Sequence, residues 1–345
     1  MTYRHALCAA LLLASVAVHA HHSYTEFDDK DTVEIQGMLV AAAWQNPHTS
    51  LRVKASDGSD RIWDIETTGI NQLRRVAAPL ELFEVGSIVR VAGWPSKRSA
   101  ARMYGTNLLS AGGRELILFR AQPRWDKAAF GTERRAPASP TAGEATLFRV
   151  WDVVYAEPGQ PVDTDTAPGA LRRVAWPLTE AARSAVATFD PVNRSTAAGC
   201  EPKGMPEIML APVPLEFVKG DEAILLRIEE YDTVRTIHLE RAMTPHDRPK
   251  TLLGHSAGRW EGETLVVTTT NVSAKYLTAT GVPLGPSASF LERFTPSADG
   301  NRLRYSILVT DPYSLTEPTE QKRSWVATHE EVLPYNCKIA GDLRP

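Results

Sequence analysis

Apolar residues recur along this chain at two different spacings, and the change of spacing marks its organisation. Residues 33–44 alternate between apolar and polar side chains and end at the turn Asn46-Pro47-His48. Residues 51–54 alternate again, Asp57-Gly58 marks a turn, and residues 62–65 form a third short run. A period of two is the pattern of a half-buried strand. Between Asn71 and Leu82 the step lengthens: Leu73, Val76, Ala77 and Leu80 lie three and four residues apart, which predicts a helix that Pro79 must bend or end. Two more alternating runs follow, 88–94 and 103–109. Three strands, a helix and two strands is the order of an OB-fold, a small five-stranded barrel.

From Gln122 to Ala145 the periodicity is lost among Pro123, Pro137, Pro140 and Gly143, which reads as a linker. Beyond it, a short apolar run at 147–154 precedes a helix over Glu180–Ala187, with Thr179 as its N-cap and its end before Asp190-Pro191. Eight strands are then expected, at 215–218, 223–230, 234–239, 258–260, 264–270, 289–294, 302–309 and 322–326. The turns between them carry Gly220-Asp221, Glu261-Gly262-Glu263 and Asp299-Gly300-Asn301. Strands joined mostly as hairpins predict an antiparallel β-barrel or a two-sheet sandwich with one short helix. The expected fold class is therefore mainly β. Residues 21–120 form an OB-like domain, 121–146 a linker and 147–345 an antiparallel barrel-like domain.

The first twenty residues follow neither pattern. Arg4 and His5 precede an apolar run to Val18, and Val18-His19-Ala20 is a small-residue cleavage site, the three parts of a secretory signal peptide. The run is shorter than the roughly 20 residues that a membrane-spanning helix requires, so no stable membrane insertion is expected. Export to the periplasm or the medium changes how the cysteines are read. After cleavage only Cys200 and Cys337 remain, an even pair in an oxidising compartment, and they are expected to be bonded. With 38 basic and 41 acidic side chains the charge is nearly balanced, and no basic surface for nucleic acid is indicated.

Two stretches bring resemblances with them. His21-His22-Ser23, Gly37, Trp44-Gln45-Asn46-Pro47-His48 and Gly93-Trp94-Pro95 resemble a family of exported bacterial proteins of unknown function with an OB-like fold. Gly204-Met205-Pro206, Glu230-Tyr231-Asp232 with Arg235, and the stretch from Gly254 to Val267 resemble a second group of exported bacterial proteins, also without an assigned activity. That second resemblance includes a Cys near each end and so supports the Cys200–Cys337 bond. Neither resemblance implies a reaction.

Candidate chemistry is sparse. On the strand at 234–239, Thr236 and His238 share one face while Arg235 shares the other with Ile237 and Leu239. A charge on an apolar face needs a partner, and Glu230, Asp232 or Glu292 can supply it. Arg235, Tyr231, His238, His255 and Trp260 are the candidate lining of a ligand pocket in the barrel, and Arg235 also reads as part of a buried structural pair that organises the barrel. His255 with Glu230 or Glu292 is the candidate acid–base set of an alternative reading, an extracytoplasmic hydrolase, hydratase or isomerase. Gly254-x-Ser256-x-Gly258 matches a nucleophile elbow in letters but lacks the strand–turn–helix context. His21, His22 and His48 form a nitrogen-rich set suited to copper, provided cleavage exposes His21. Trp44, Trp63 and Trp94 read either as stacking platforms or as barrel packing. The leading expectation is an exported binding protein that takes a small, partly apolar molecule into its barrel.

Overall fold

The computed structural model describes residues 26–131, 147–153, 175–190, 200–239 and 248–339. Two β-barrels follow each other along the chain. The first is built from β1 (Val33–Ala43), β2 (Thr49–Ala55), β3 (Ile62–Thr67), β4 (Ile88–Pro95) and β5 (Arg102–Ser110), with the short β6 (Glu115–Ile117) added beside β5. β2 and β4 both pair antiparallel with β1, and a parallel pairing of β3 with β5 closes the circle. The closed cycle β1-β2-β3-β5-β4, with α1 (Ile70–Arg75) between β3 and β4, is the OB-like arrangement expected from the order of elements.

The core of this barrel is filled by alternate residues of its strands, among them Leu39, Leu51, Val53, Ile65, Val91 and Met103. Helix α1 plugs one side with Ile70 and Leu73. It is shorter than its apolar spacing suggests: the chain turns out at Ala77, whose φ is 47°, and only a single 3-10 turn, Leu80–Leu82, follows Pro79. The first part of the presumed linker is folded against the same barrel. Buried Glu115 accepts the backbone N–H groups of Arg124, Trp125 and Asp126 at 2.8–3.0 Å, and Phe130 bridges to Leu116. The rest of the stretch 121–146, from 132 onward, lies outside the described residues.

The second barrel contains β7 (Val150–Val153), β8 (Leu215–Lys219), β9 (Ala223–Ile228), β10 (Thr233–Leu239), β11 (His255–Glu261), β12 (Thr264–Thr270), β13 (Ser289–Pro296), β14 (Arg302–Thr310) and β15 (Thr319–Ala327). It is a closed barrel, which rules out the sandwich alternative. All eight expected strands are present, and the short run at the start of the domain supplies the ninth. One expectation is corrected: the barrel is mixed, because β10 and β11 run parallel, with Ile237 opposite Ser256. The chain between them, 240–254, is long enough to return to the end from which β10 began, so no hairpin joins this pair. Helix α2 (Glu180–Ala187) forms as read, with the Thr179 hydroxyl accepting the Ala182 N–H at 3.2 Å.

The barrel bore is occupied by the chain itself. The segment after Gly204 carries a 3-10 turn, Glu207–Leu210, and its Met205, Ile208 and Met209 belong to the same core as Phe217, Phe290, Phe294 and Trp325. Buried Arg323 holds this segment by donating to the carbonyls of Met209 and Ala211 at 2.8 and 3.0 Å. Cys200 and Cys337 are joined by a disulfide. The C-terminal tail that it anchors crosses back to the first barrel: Asn46 donates its side-chain N–H to the Tyr335 carbonyl at 2.6 Å, and the Lys338 N–H returns to the Asn46 carbonyl at 2.9 Å.

Candidate functional site

The odd charge of β10 lies inside the barrel. Arg235 is 1% exposed and Glu292 of β13 is fully covered. The guanidinium meets the carboxylate with both terminal nitrogens, one of them at 2.9 Å from Oε1. Its Nε donates to Ser256 Oγ at 3.0 Å, one terminal nitrogen also reaches Thr269 Oγ1 at 2.7 Å, and the other reaches Met209 Sδ at 3.6 Å. Tyr305 donates its phenol to Glu292 Oε1 at 2.9 Å, and Thr269 sits 3.2 Å from Oε2.

Every N–H of the guanidinium thus has an acceptor, and each carboxylate oxygen has two donors. Burial alone would lower the Arg235 pKa, but the Glu292 charge and its hydrogen bonds more than offset this and raise it. Burial, with the Glu292 charge adding to it, pushes the Tyr305 phenol well above the ordinary tyrosine value. A network so completely satisfied has nothing left to offer a ligand, and Ser256 is bound into it as a hydrogen-bond partner on a strand. Geometry therefore gives this cluster the role of a polar strut that fixes β10, β11, β12, β13 and β14 against the inserted segment.

The other sequence candidates lie in separate places. His255 opens β11 and its Nε2 is 2.8 Å from the Pro249 carbonyl. Trp260 lies toward the far end of the same strand, 42% exposed and packed edge-on against Phe148 at 6.1 Å. His238 is half-buried on the face of β10 opposite Arg235. Glu230 is paired with Lys203 Nζ at 2.8 and 3.1 Å. The candidate acid–base set, His255 with Glu230 or Glu292, is thus distributed over three networks.

His48 places Nδ1 3.1 Å from the Thr67 carbonyl and 3.5 Å from Glu66 Oε1. His21 and His22 lie outside the described residues. Among the described residues no group of three or more His, Cys, Asp or Glu side chains is arranged to hold a metal ion. Trp44 and Trp63 pack against the first core, and Trp94 stacks on Tyr104 at 5.8 Å with Phe119 edge-on to both.

Of the candidate pocket residues, Tyr231 borders a cavity. The cavity has a volume of about 330 Å³ and lies on the rim of the second barrel where β10 begins. It forms where the start of β10 meets the loop leading into β11, the strand that pairs parallel with the end of β10. Thr233 and Val234 form one wall, and Thr251, Leu252 and Leu253 another. Pro202 and Lys203, two and three residues after Cys200, close the third side.

Two glycines permit this meeting of loops. Gly254 turns the 251–254 loop with φ +69°, and at Gly204 a Cβ would come within 2.7 Å of the Leu252 carbonyl oxygen.

Tyr231 itself has a left-handed backbone, φ 58° and ψ 28°, and its ring packs on Tyr335 of the disulfide-anchored tail at 5.0 Å. Its phenol oxygen is buried with no hydrogen-bond partner among the described residues. Burial, and then the charges of Glu230, Glu207 and Glu201, push its pKa well above the ordinary tyrosine range, so it stays a neutral phenol. Strain of this kind persists only where surrounding structure imposes it, and it concentrates at sites that bind.

Sequence reasoning missed Pro202, Lys203, Val234 and the 251–253 loop. The one available signal was Leu252-Leu253, two adjacent apolar residues outside any strand pattern, beside Val234 at an outward position of β10; Val234 and Leu252 are 51% and 37% exposed. No curated protein matches the chain. The N-terminal region, residues 9–105, which runs through the first barrel as far as β5, matches the model of a family described as a family of unknown function (DUF6152).

Proposed function

We propose that this is an exported binding protein for a small, partly apolar molecule, and that the molecule sits in the rim cavity beside Tyr231 rather than in the barrel bore. The observation that carries the reading is the cavity itself: about 330 Å³ with walls from Pro202, Val234, Leu252 and Leu253 and a few polar groups at its edge. Small-molecule sites are mostly apolar, with a few placed polar groups, and run from roughly 300 to 1,000 Å³. Apolar side chains exposed in a concave wall are those a ligand would cover. Export rests on the signal-like residues 1–20. No helix among the described residues is long and apolar enough to cross a membrane.

Native mass spectrometry of the protein purified from the exported fraction tests the reading. We expect a retained organic mass that disappears in Val234→Trp, which fills the cavity from an exposed position. A retained mass that survives this substitution would place the ligand elsewhere, and the absence of both a retained mass and any uptake from an apolar small-molecule set would contradict the reading.

A second reading, copper held through His21, His22 and His48, draws support from one arrangement. Arg102 joins Glu26 to Glu66 at 2.9 and 2.7 Å, and Glu66 lies beside His48. The start of the described chain is thereby tied next to His48, and His21 is within about 17 Å of extended chain from Glu26. A carbonyl on Nδ1, as Thr67 provides, is the usual support of a histidine that ligates through Nε2. Electron paramagnetic resonance of the copper-titrated mature protein should show nitrogen couplings that weaken in His48→Ala; an unchanged spectrum would remove His48 from the set.

A further inference from the structure

We infer that the rim cavity selects uncharged ligands, apolar over most of their surface and carrying one hydrogen-bond donor such as a hydroxyl. The inference rests on the binding reading and deepens it. It follows from how the few polar groups around the cavity are already engaged.

Among the described lining residues only Lys203 is charged, and its ammonium lies 2.8 and 3.1 Å from the two carboxylate oxygens of Glu230. Both partners are largely covered, with side chains 20% and 9% exposed. An anionic ligand that reached for Lys203 would have to displace Glu230 and leave that carboxylate covered and unpaired, which is costly. It would also enter the field of Glu230, Glu207 and Glu201, the charges that act on the Tyr231 phenol. A cationic ligand would stand beside the Lys203 ammonium and compete with it for Glu230. Each charge sign is opposed by one member of the same ion pair, whereas a neutral molecule disturbs neither.

The hydroxyls in the wall set the remaining polarity. Thr233 donates to the Glu230 carbonyl at 2.7 Å and Thr251 to the Gly254 carbonyl at 3.0 Å. Each hydroxyl has spent its hydrogen, and what it can offer a ligand is a lone pair. The matching ligand group is therefore a donor. The rest of the wall is Pro202, Val234, Leu252 and Leu253, which gain from covering hydrocarbon alone, and Tyr231, whose phenol, unpartnered among the described residues, can return a hydrogen bond to the oxygen of a ligand hydroxyl.

Competition among ligands of one ring system and different charge tests the inference. The mature protein is titrated with N-phenyl-1-naphthylamine, an uncharged probe that fluoresces in apolar sites, and the probe is then displaced by 1-naphthylmethanol, 1-naphthoate or 1-naphthylmethylammonium. We expect 1-naphthylmethanol to compete about tenfold or more better than either ion, the ratio that corresponds to about 1.4 kcal/mol. We also expect probe binding to be lost in Val234→Trp. Equal or better competition by either ion, with probe binding still blocked by Val234→Trp, would overturn the charge selectivity and leave the cavity standing as a binding site. No probe binding, or binding indifferent to Val234→Trp, would overturn the cavity reading itself and the inference with it.

Discussion

Arg75 of the first barrel grips Glu229 of the second with both terminal guanidinium nitrogens, in a contact where the Glu229 side chain is 1% exposed. The same carboxylate accepts the Leu333 N–H at 3.0 Å, and Arg75 also donates to the Glu331 carbonyl at 3.2 Å. One ion pair therefore ties the OB-like barrel, the second barrel and the C-terminal tail together. Asn71 and Gln72 of α1 extend the seam to the carbonyls of Pro334 and Pro212, each at 3.2 Å. The tail then reaches the rim cavity, because the Tyr335 N–H binds Asp232 at 2.9 Å and the Tyr335 ring packs on Tyr231.

Breaking that pair from one side leaves a covered guanidinium and a tail N–H without an acceptor. Glu229→Leu is expected to lower stability by about 3–5 kcal/mol, the usual cost of a one-sided break in a buried pair. Adding Arg75→Met should recover part of the loss. Urea denaturation of the single and double variants measures both, and a loss below about 1 kcal/mol would show that the seam contributes little.

The strut inside the second barrel makes a parallel expectation. Arg235→Met removes the charge and leaves Glu292 with only Tyr305 and Thr269, again at about 3–5 kcal/mol. Combining it with Glu292→Met should restore a substantial part, and probe binding at the rim should survive in whatever fraction remains folded. If Arg235→Met instead left stability unchanged and abolished probe binding, Arg235 would be a ligand residue and the cavity assignment would be misplaced.

Alkaline pH should weaken the fold through its buried phenols. Tyr231 and Tyr305 both have pKa values raised above the ordinary value near 10, chiefly by burial. In the unfolded chain they release protons as pH passes about 10, while the folded protein retains them. The unfolded state then binds fewer protons, so stability is intact below about pH 10 and falls as pH rises above it. Unfolding curves at pH 8 and pH 10.5 should show the drop, and the Tyr231→Phe, Tyr305→Phe double variant should show less of it. A wild-type profile flat to pH 11 would contradict the burial of these groups.

The Cys200–Cys337 bond closes a loop with a sequence separation of 137 residues. In the chain-entropy account such a loop contributes roughly 5 kcal/mol. Denatured, unreduced mature protein should label with essentially no thiol reagent. Cys200→Ser with Cys337→Ser should lower stability and, because the tail supports Tyr231, weaken probe binding as well. Two reactive thiols per chain would refute the bond.

How much of this was legible in the residues follows from what each feature depends on. Alternation exposed the strands because a barrel wall is apolar on one side only, and Thr179 marked α2 because an N-cap is a local device. Arg235 was conspicuous as a charge in an apolar row, and Glu292 was among its possible partners. The parallel β10–β11 pair was hidden, since hairpin signals are local and a returning crossover is not. The cavity was hidden for a related reason: Lys203, Val234 and Leu252 come from three distant stretches that only the tertiary fold brings together. His255, Trp260 and His238 carried chemistry in their side chains, but the fold directs them to other networks and faces.

The most direct measurement is methyl-resolved nuclear magnetic resonance of the mature protein, labelled at Leu and Val methyls and titrated with N-phenyl-1-naphthylamine. If the cavity is the binding site, the methyls of Val234, Leu252 and Leu253 shift together along one saturation curve while those of Leu226 and Val309, inside the barrel, stay in place. Shifts concentrated on Leu226 and Val309, or no saturable shift at Val234, Leu252 and Leu253, would contradict the account.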